Sequence, residues 1–304
     1  MYTLGIDIGG TNLRIGLVEQ NYNLTRLEKH SVKDLFGKED ACAALAVVIK
    51  KYLAAHNAEN LTRGICIGFP ATVDKRGERV LGAPNLGGFD GVNVKEELSR
   101  FLPYPIFIEK DVNLLIRCDL WRTKSTARDI VAAYVGTGLG NAIMLDGVLH
   151  KGANGVAGEL GHIPFGDTDE SCGCGNFGCA EPLVGGKYLA KLCETTFTDT
   201  HISELFSLHR GEPLLEKYVD RLARVIASEV NIIDPELLIL GGGVINMKDF
   251  PKEELARQIK LYVRKPLPHD ALKIEFSVGA DECGVIGAGI AAWEKVNKHL
   301  HFLE

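Results

Sequence analysis

The sequence contains few of the features that direct a protein to nucleic acid, a membrane or export. The formal net charge of the 304 residues is −6, and no basic run exceeds a pair or two, which disfavours electrostatic capture of nucleic acid. No apolar run approaches the ~18 residues that a transmembrane helix needs. The first residues, MYTLGIDIGG, lack the charged and apolar regions of a signal peptide. We therefore expect a cytoplasmic protein that binds neither a membrane nor nucleic acid.

Length and composition are those of an ordinary globular chain. At 33.1 kDa the protein is long enough to bury a sizeable core, and roughly two domains are expected. Hydrophobic residues make up 46% of the chain and charged residues 24%, as in a soluble protein.

Most of the cysteines are isolated from one another, which disfavours a disulfide scaffold. Five of the eight are single residues in apolar or helical surroundings, typical of buried free thiols in a reducing compartment: Cys42, Cys66, Cys118, Cys193 and Cys283. The other three need a separate explanation, and a metal site is favoured over a disulfide.

These three cysteines form a compact cluster with one histidine. Cys172, Cys174 and Cys179 fall within eight positions, and His162 lies ten residues before the first. Three thiolates and one imidazole complete the tetrahedral shell of Zn²⁺, so the spacing predicts a structural zinc site without bound water. Glu159 and Glu181 bracket the cluster, and a carboxylate-lined loop of this kind suggests a pocket for a molecule with many hydroxyl groups.

Two similar hairpins occur along the chain. The first pairs predicted strands Thr3–Ile8 and Leu13–Val18 around a Gly-Gly-Thr turn, and the second pairs Ile130–Val135 and Asn141–Leu145 around the sequence GTGLG. Asp146-Gly147 then makes a further tight turn. The repeated design predicts an internal duplication, with a cleft between two related halves.

The remaining patterns alternate helices with strands and predict an α/β protein. Helical patterns cover Glu39–Ala55, the residues after Asp111, Pro213–Ile232 and Gly284–Lys298. Strand patterns cover Arg63–Phe69, Ile106–Glu109 and Glu236–Leu240. We expect residues 1–112 plus 286–304 to form the smaller domain, and residues 113–285 the larger.

The glycine turns are candidate phosphate sites. Gly9, Gly10, Thr11 and Asn12 lie at a hairpin, where a Rossmann site would need them to open a helix. Backbone N–H groups there can still approach a phosphate, and Asp7 can orient water on Mg²⁺. An ordinary glycine hairpin fits this turn alone equally well. The turn Gly136, Thr137, Gly138, Leu139 and Gly140 favours the phosphate interpretation, and Gly241, Gly242 and Gly243 would allow adenine or ribose to lie close to the backbone.

Three further polar residues each have a local and a functional interpretation. Asp111 follows a strand and begins a helix, so it can be an N-cap, a general base for a substrate hydroxyl, or both. Asn113 fits helix-start chemistry or a sugar contact. Asn85, in GAPNLGG, fits a turn or an amide that reads a hydroxyl in both directions.

Together these motifs resemble the ROK family of sugar kinases and regulators. The matching segments are DIGGT, GFPATVD, EKDVN, GTGLG, GELGH, CGCGNFGC followed by Glu181, and LGGGV. The resemblance implies a duplicated actin-like ATPase (ribonuclease H-like) fold, a homodimer, and phosphorylation of a hexose at its terminal hydroxyl by ATP with Mg²⁺. It implies that Asp111 is the catalytic base, and that Asn85, Glu159, His162 and Glu181 contact the sugar. His162 would also bind the structural Zn²⁺ through its other ring nitrogen.

Two departures from the family pattern bear on the substrate. Ala71 stands where the family commonly has Gly, and Lys110 stands where it usually has Asn. An amide donates and accepts hydrogen bonds, whereas an ammonium only donates, so Lys110 changes which hydroxyl can be read. The GELGHIPFGD run, Lys110 and KPLPH most resemble the D-allose kinases, with N-acetylmannosamine kinase, glucokinase and fructokinase as alternatives.

Two other classes compete with a hexose kinase. A ROK regulator would need a DNA-binding segment before the first strand, and we expect no room for one because that strand begins near Thr3. An actin-like ATPase that hydrolyses ATP without a sugar would not need the zinc cluster and its glutamates.

Overall fold

A computed structural model describes residues 1–36, 40–83, 86–166, 169–279 and 281–300. The chain forms two compact units. Unit 1 contains the described residues of Met1–Ser125, Lys151–Val156 and Ala280–Glu304, and unit 2 those of Thr126–His150 and Ala157–Gly279. These limits differ from the predicted domains. The predicted boundary after residue 112 falls inside the helix that begins at Asp111, whereas that helix lies wholly in unit 1.

The regular elements of the described residues alternate as the sequence predicts. The strands are β1 (Tyr2–Ile8), β2 (Asn12–Glu19), β3 (Leu24–Ser31), β4 (Thr62–Phe69), β5 (Thr72–Val73), β6 (Val80–Gly82), β7 (Ile106–Lys110), β8 (Ile130–Val135), β9 (Leu139–Leu145), β10 (Val148–Leu149), β11 (Leu237–Gly241) and β12 (Lys273–Phe276). The helices are α1 (Val32–Leu35), α2 (Ala41–Ala55), α3 (Val94–Ser99), α4 (Asp111–Thr123), α5 (Glu181–Val184), α6 (Gly186–Thr195), α7 (Leu205–Leu208), α8 (Pro213–Ile233), α9 (Lys252–Tyr262) and α10 (Cys283–Leu300), with 3₁₀ turns at Leu160–His162 and Ile202–Glu204.

Each unit contains a five-stranded sheet of the same topology. The strand order is β3-β2-β1-β4-β7 in unit 1 and β10-β9-β8-β11-β12 in unit 2. In both sheets the first three strands pair antiparallel and the others join in parallel. When the strands are numbered within each sheet, both sheets have the order 3-2-1-4-5, which confirms the predicted α/β class and the internal duplication.

The two faces of β1 pack against different layers. Leu4 and Ile6 are fully buried in the core that α2 also lines. Alternate side chains of a strand point to opposite faces, so Thr3 and Gly5 face α10. The Thr3 hydroxyl donates to the Gly289 carbonyl at 2.9 Å, and a Cβ on Gly5 would lie 2.1 Å from the carbonyl oxygen of Val285. The small residues of α10 therefore allow this helix to pack closely against β1.

The start of α4 corrects one prediction. The strand β7 extends to Lys110, whose extended backbone (φ −65°, ψ 137°) makes it the N-cap residue, and Asp111 is the first residue of the helix. The prediction that Asp111 is the N-cap is therefore wrong by one position. Strand and helix adjoin directly, so the carboxylate of Asp111 lies in the first helical turn, where the helix dipole favours negative charge.

Other predicted boundaries agree with the structure within a few residues. Helix α2 begins at Ala41, and the side chain of Asp40 accepts from Cys42 and Ala43, while Glu39 lies outside the described residues. The Asp146-Gly147 turn joins β9 to β10, as predicted. None of the helices in the described part of the chain combines the length and apolarity needed to cross a bilayer.

Candidate functional site

In unit 1 the first glycine turn is an open hairpin loop. Ile8 pairs with Leu13, and the Gly9 amide donates to the Asn12 carbonyl at 2.8 Å. A Cβ placed on Gly10 would meet no atom within 4 Å, and Gly10 and Thr11 are exposed. The predicted hairpin turn is confirmed, and its tip has the space that an approaching anion needs.

Asp7 lies at the base of this turn in a largely buried position. Its carboxylate packs on the first turn of α10, where a Cβ on Gly284 would come within 2.4 Å of Cγ. Arg14 Nη1 is 3.8 Å from Oδ2. Burial and the negative charge of Asp111 together raise the pKa of Asp7 to about 6, and Arg14 partly opposes them. The site therefore favours a cation or a proton beside Asp7.

This raised pKa predicts a pH dependence of stability. The folded-state pKa of about 6 exceeds the ordinary value of 3.8, so the native state binds more protons between these values and loses stability as pH rises through 6. Asp7→Asn, which resembles the neutral carboxyl group, should match the wild type at pH 4 and exceed it at pH 8 by up to about 3 kcal/mol. Urea unfolding at both pH values, without added magnesium or nucleotide, measures the difference. The exposed Asp34→Asn is the control, and an Asp7→Asn advantage that does not change with pH would contradict the expectation.

Asp111 lies near Asp7 and is held by its own helix. Asp111 Oδ1 accepts from the Val112 amide at 2.8 Å, which fixes the direction of the carboxylate. Its negative charge is one of the causes that raise the pKa of Asp7. Unit 1 therefore brings together the candidate base and the first glycine turn.

The residues on either side of Asp111 form a buried polar group. Glu109 is 5% exposed, and its Oε1 accepts from the Asn113 amide nitrogen at 3.0 Å, while Oε2 lies 2.6 Å from Lys151 Nζ. Burial raises the pKa of Glu109, but Lys151 and Arg117 outweigh it and hold the pKa below its usual value. Since its side-chain amide already binds Glu109, the sugar contact of Asn113 stays a prediction.

In unit 2 the second glycine turn is bound to Glu181. Glu181 Oε2 accepts from the Leu139 amide at 3.0 Å, and a Cβ on Gly138 would lie 2.1 Å from that oxygen. The Leu139 N–H, which was predicted to face a phosphate, therefore donates its hydrogen bond to Glu181. The turn Gly136–Gly140 and the predicted sugar ligand Glu181 form one connected structure, which the sequence alone did not indicate.

The third glycine segment lies beside the strand that leads into this turn. Gly242 has φ +96°, and a Cβ there would lie 2.4 Å from the Val135 carbonyl oxygen. The Val244 amide donates to the same carbonyl at 2.9 Å. Gly243 has open space around its Cα, with no atom within 4 Å of an added Cβ. The adenine contact of Gly241–Gly243 stays a prediction, for which Gly243 offers the space.

The predicted zinc ligands converge in unit 2. One potential ligand atom from each of His162, Cys172, Cys174 and Cys179 lies within 4.8 Å of all the others. Cys174 Sγ is 3.7 Å from Cys179 Sγ, and Cys172 Sγ is 3.4 Å from His162 Nδ1. A tetrahedral Zn²⁺ with ordinary bond lengths separates its sulfur ligands by about 3.8 Å and a sulfur from a nitrogen by about 3.5 Å. The four residues fit zinc, and all eight cysteines are free thiols rather than disulfides.

His162 presents its two ring nitrogens to different neighbours. Nδ1 faces the thiols, and Nε2 is 3.7 Å from Glu159 Oε2. Both side chains are partly exposed, at 30% for His162 and 38% for Glu159. Nε2 and the Glu159 carboxylate are therefore neighbours, and the sugar contacts of both residues stay a prediction.

Two buried polar residues next to this loop, Asn141 and Glu229, were not predicted from the sequence. Gly158 has φ +82°, and a Cβ there would lie 2.7 Å from Asn141 Oδ1. Asn141 is fully buried, and its amide nitrogen donates to Glu229 Oε2 at 2.8 Å and to the Ala132 carbonyl at 3.0 Å. The signal in the sequence was a polar residue, Asn141, in the apolar run LGNAIML.

The predicted sugar contact Asn85 lies outside the described residues.

Comparison with known proteins agrees with this architecture. The model of the ROK family matches residues 3–295. The chain is similar to a glucokinase from Thermotoga maritima, at 25% identity over 96% of this chain and 98% of the relative, and to an N-acetylmannosamine kinase from Vibrio cholerae, at 29% identity over 80% and 84%. A ROK family transcriptional regulator has the same fold, with a TM-score of 0.85 at 21% identity, over 99% of this chain and 80% of the regulator. Solved structures of the family confirm the predicted duplicated, actin-like α/β fold.

Proposed function

Because the chain belongs to the ROK family, we propose that it is an ATP-dependent hexose kinase that phosphorylates the terminal hydroxyl of a sugar. The observation that carries this proposal is the placement of Asp111 in unit 1, where its charge acts on Asp7 at the base of an open glycine turn. Phosphoryl transfer needs a base for the acceptor hydroxyl and a site for the phosphates, and one unit supplies candidates for both.

Each residue has a defined task in the proposed reaction. Asp111 accepts the proton of the sugar hydroxyl, and its contact with Val112 directs the carboxylate. The backbone of the Gly9–Thr11 turn binds phosphate oxygens. Asp7 would hold Mg²⁺ through water, and the ion would supply positive charge to the transferring phosphoryl group. The buried, partly uncompensated carboxylate of Asp7 fits this task.

The loop around the zinc cluster is the proposed sugar-binding element. Glu159 and Glu181 would accept hydrogen bonds from sugar hydroxyls, and Asn85 would also contact the sugar. His162 would donate a hydrogen bond through its Nε2–H, because its Nδ1 faces the thiols. Glu181 is fixed by the Leu139 amide, and His162 by the thiol cluster, so these groups are preorganised. Zinc would bind His162, Cys172, Cys174 and Cys179 and supply structural stability.

The most specific substrate we propose is D-allose, converted to D-allose 6-phosphate. Glucose and N-acetylmannosamine are the alternatives favoured by the names of the similar proteins, and fructose is a further one. ADP release by the purified chain over allose, glucose, mannose, fructose, psicose and N-acetylmannosamine tests the proposal. ATP hydrolysis that does not depend on any sugar would contradict a sugar kinase, and specific binding to operator DNA would favour a regulator.

We also propose that the protein is a homodimer, which light scattering would test.

Lys110 should contribute to the choice among these sugars. An ammonium only donates, so Lys110→Asn adds an acceptor and removes a charge beside Asp111. We expect the ratio of kcat/KM for allose over glucose to fall by about tenfold or more, the size expected from one lost hydrogen bond to a charged group. Lys124→Asn, at the exposed end of the same helix, is a matched control. An unchanged ratio in Lys110→Asn would exclude this residue as a determinant of specificity.

A further inference from the structure

A short segment of the chain leaves unit 2 and packs in unit 1. Between His150 and Ala157, both in unit 2, the six residues Lys151–Val156 belong to unit 1. The chain then continues directly to Glu159 and His162. The segment therefore joins, by covalent continuity, the buried group around Asp111 to the loop that carries the proposed sugar ligands.

Both ends of the segment are fixed in unit 1. At the first end, Lys151 Nζ lies 2.6 Å from Glu109 Oε2, and the Lys151 side chain is 22% exposed. At the other end, Gly155 has φ +91°, and a Cβ there would lie 2.6 Å from both the Val73 carbonyl oxygen and the Lys75 amide nitrogen. Backbone contact this close leaves room only for glycine, so the segment has a defined path.

The ion pair acts on the strand end that presents Asp111. Glu109 is nearly fully buried, and its Oε1 also accepts from the Lys110 amide at 3.2 Å and from Asn113 at 3.0 Å. Glu109, Lys110 and Asn113 lie on either side of Asp111 in the sequence. The carboxylate of Glu109 binds the backbone amide of Lys110, just before Asp111, and the side chain of Asn113, two residues after it. Lys151 is the cation in direct contact with Glu109, while Arg117 acts on the same carboxylate through its charge. Removal of one partner of a buried ion pair is strongly destabilising, so loss of Lys151 should disturb this arrangement.

We propose that Lys151 is a positioning residue, which holds Asp111 in place through Glu109 and fixes the start of the segment that leads to Glu159. This inference rests on the proposed kinase function. It adds a role for a residue outside the catalytic and sugar-binding motifs. Lys151 contacts neither substrate nor phosphate in this role and acts only through Glu109.

The test compares Lys151→Met with three other variants. Lys151→Met should lower kcat by about 10- to 100-fold, the effect expected from a small misplacement of a catalytic group, and should speed amide hydrogen exchange in residues 157–163. Lys151→Arg keeps the charge and should retain most activity. Lys95→Met removes an exposed ion pair with Glu78 in the same unit, 2.9 Å long, and should change neither measurement.

The double variant Glu109→Gln/Lys151→Met separates positioning from simple charge compensation. Because it removes both charges of the buried pair, its melting temperature should return toward that of the wild type while kcat remains low. Wild-type kcat in Lys151→Met, or full recovery of kcat in the double variant, would overturn the proposal. If the wild type shows no sugar-dependent ADP release, the proposed function fails; unchanged hydrogen exchange in Lys151→Met would then overturn the positioning role independently.

Discussion

Asp111→Asn should lower kcat for sugar phosphorylation by about 10²- to 10⁴-fold, because the amide cannot accept the proton of the attacking hydroxyl. The side chain is nearly isosteric, and its oxygen can still accept from the Val112 amide, so the fold should be retained. ADP release at saturating sugar and ATP measures the loss. The melting temperature and the KM for sugar should change little, since the substitution removes an interaction made during transfer.

The control for this variant is a second aspartate in the same unit. Asp34 is exposed on α1, and Asp34→Asn should leave kcat unchanged. Near-normal kcat in Asp111→Asn would remove Asp111 as the base. In that case Asp7 would be the next residue to test, because its carboxylate lies close enough for the two charges to interact.

Much of the fold could be predicted from the sequence because local patterns determined it. The two hairpins follow from apolar runs joined by glycine turns, and the repeated strand order confirms the duplication inferred from them. The cluster of candidate zinc ligands was also predictable, since only a few residue types bind zinc and four such residues, one histidine and three cysteines, occur within a short stretch.

The features that the sequence did not reveal depend on contacts between distant segments. Glu181 bonds to an amide of the second glycine turn, 42 positions earlier, and Glu109 pairs with Lys151, also 42 positions away. No periodicity indicates such partners. The start of α4 was misplaced for a different reason. Aspartate is a common N-cap residue, and the extension of β7 to Lys110 overrode that preference.

Removal of one zinc ligand should have the second large effect, and of a different kind. Cys174→Ser should reduce the zinc content from one ion per chain to nearly none, because a hydroxyl is a poor replacement for a thiolate. Without the metal, His162 and Glu159 lose their fixed positions, and kcat/KM for the sugar should fall on the order of 100-fold. Metal analysis and sugar titrations measure the two changes, and Cys193→Ser, a single half-buried cysteine on α6, is the control.

Asp111→Asn and Cys174→Ser should change different kinetic constants, kcat in the first variant and KM for the sugar in the second. His162 Nδ1 faces the thiols while Nε2 faces Glu159, so in the proposed function the metal would act on sugar binding through the position of this ring. Asp111 lies in the other unit and keeps its contacts with Val112 in the zinc-free variant. Cys174→Ser should therefore raise KM for the sugar and leave kcat at saturating sugar closer to the wild-type value, whereas Asp111→Asn lowers kcat. A zinc-free Cys174→Ser variant with wild-type KM would show that the cluster is dispensable, and a selective loss of kcat would place the metal in phosphoryl transfer itself.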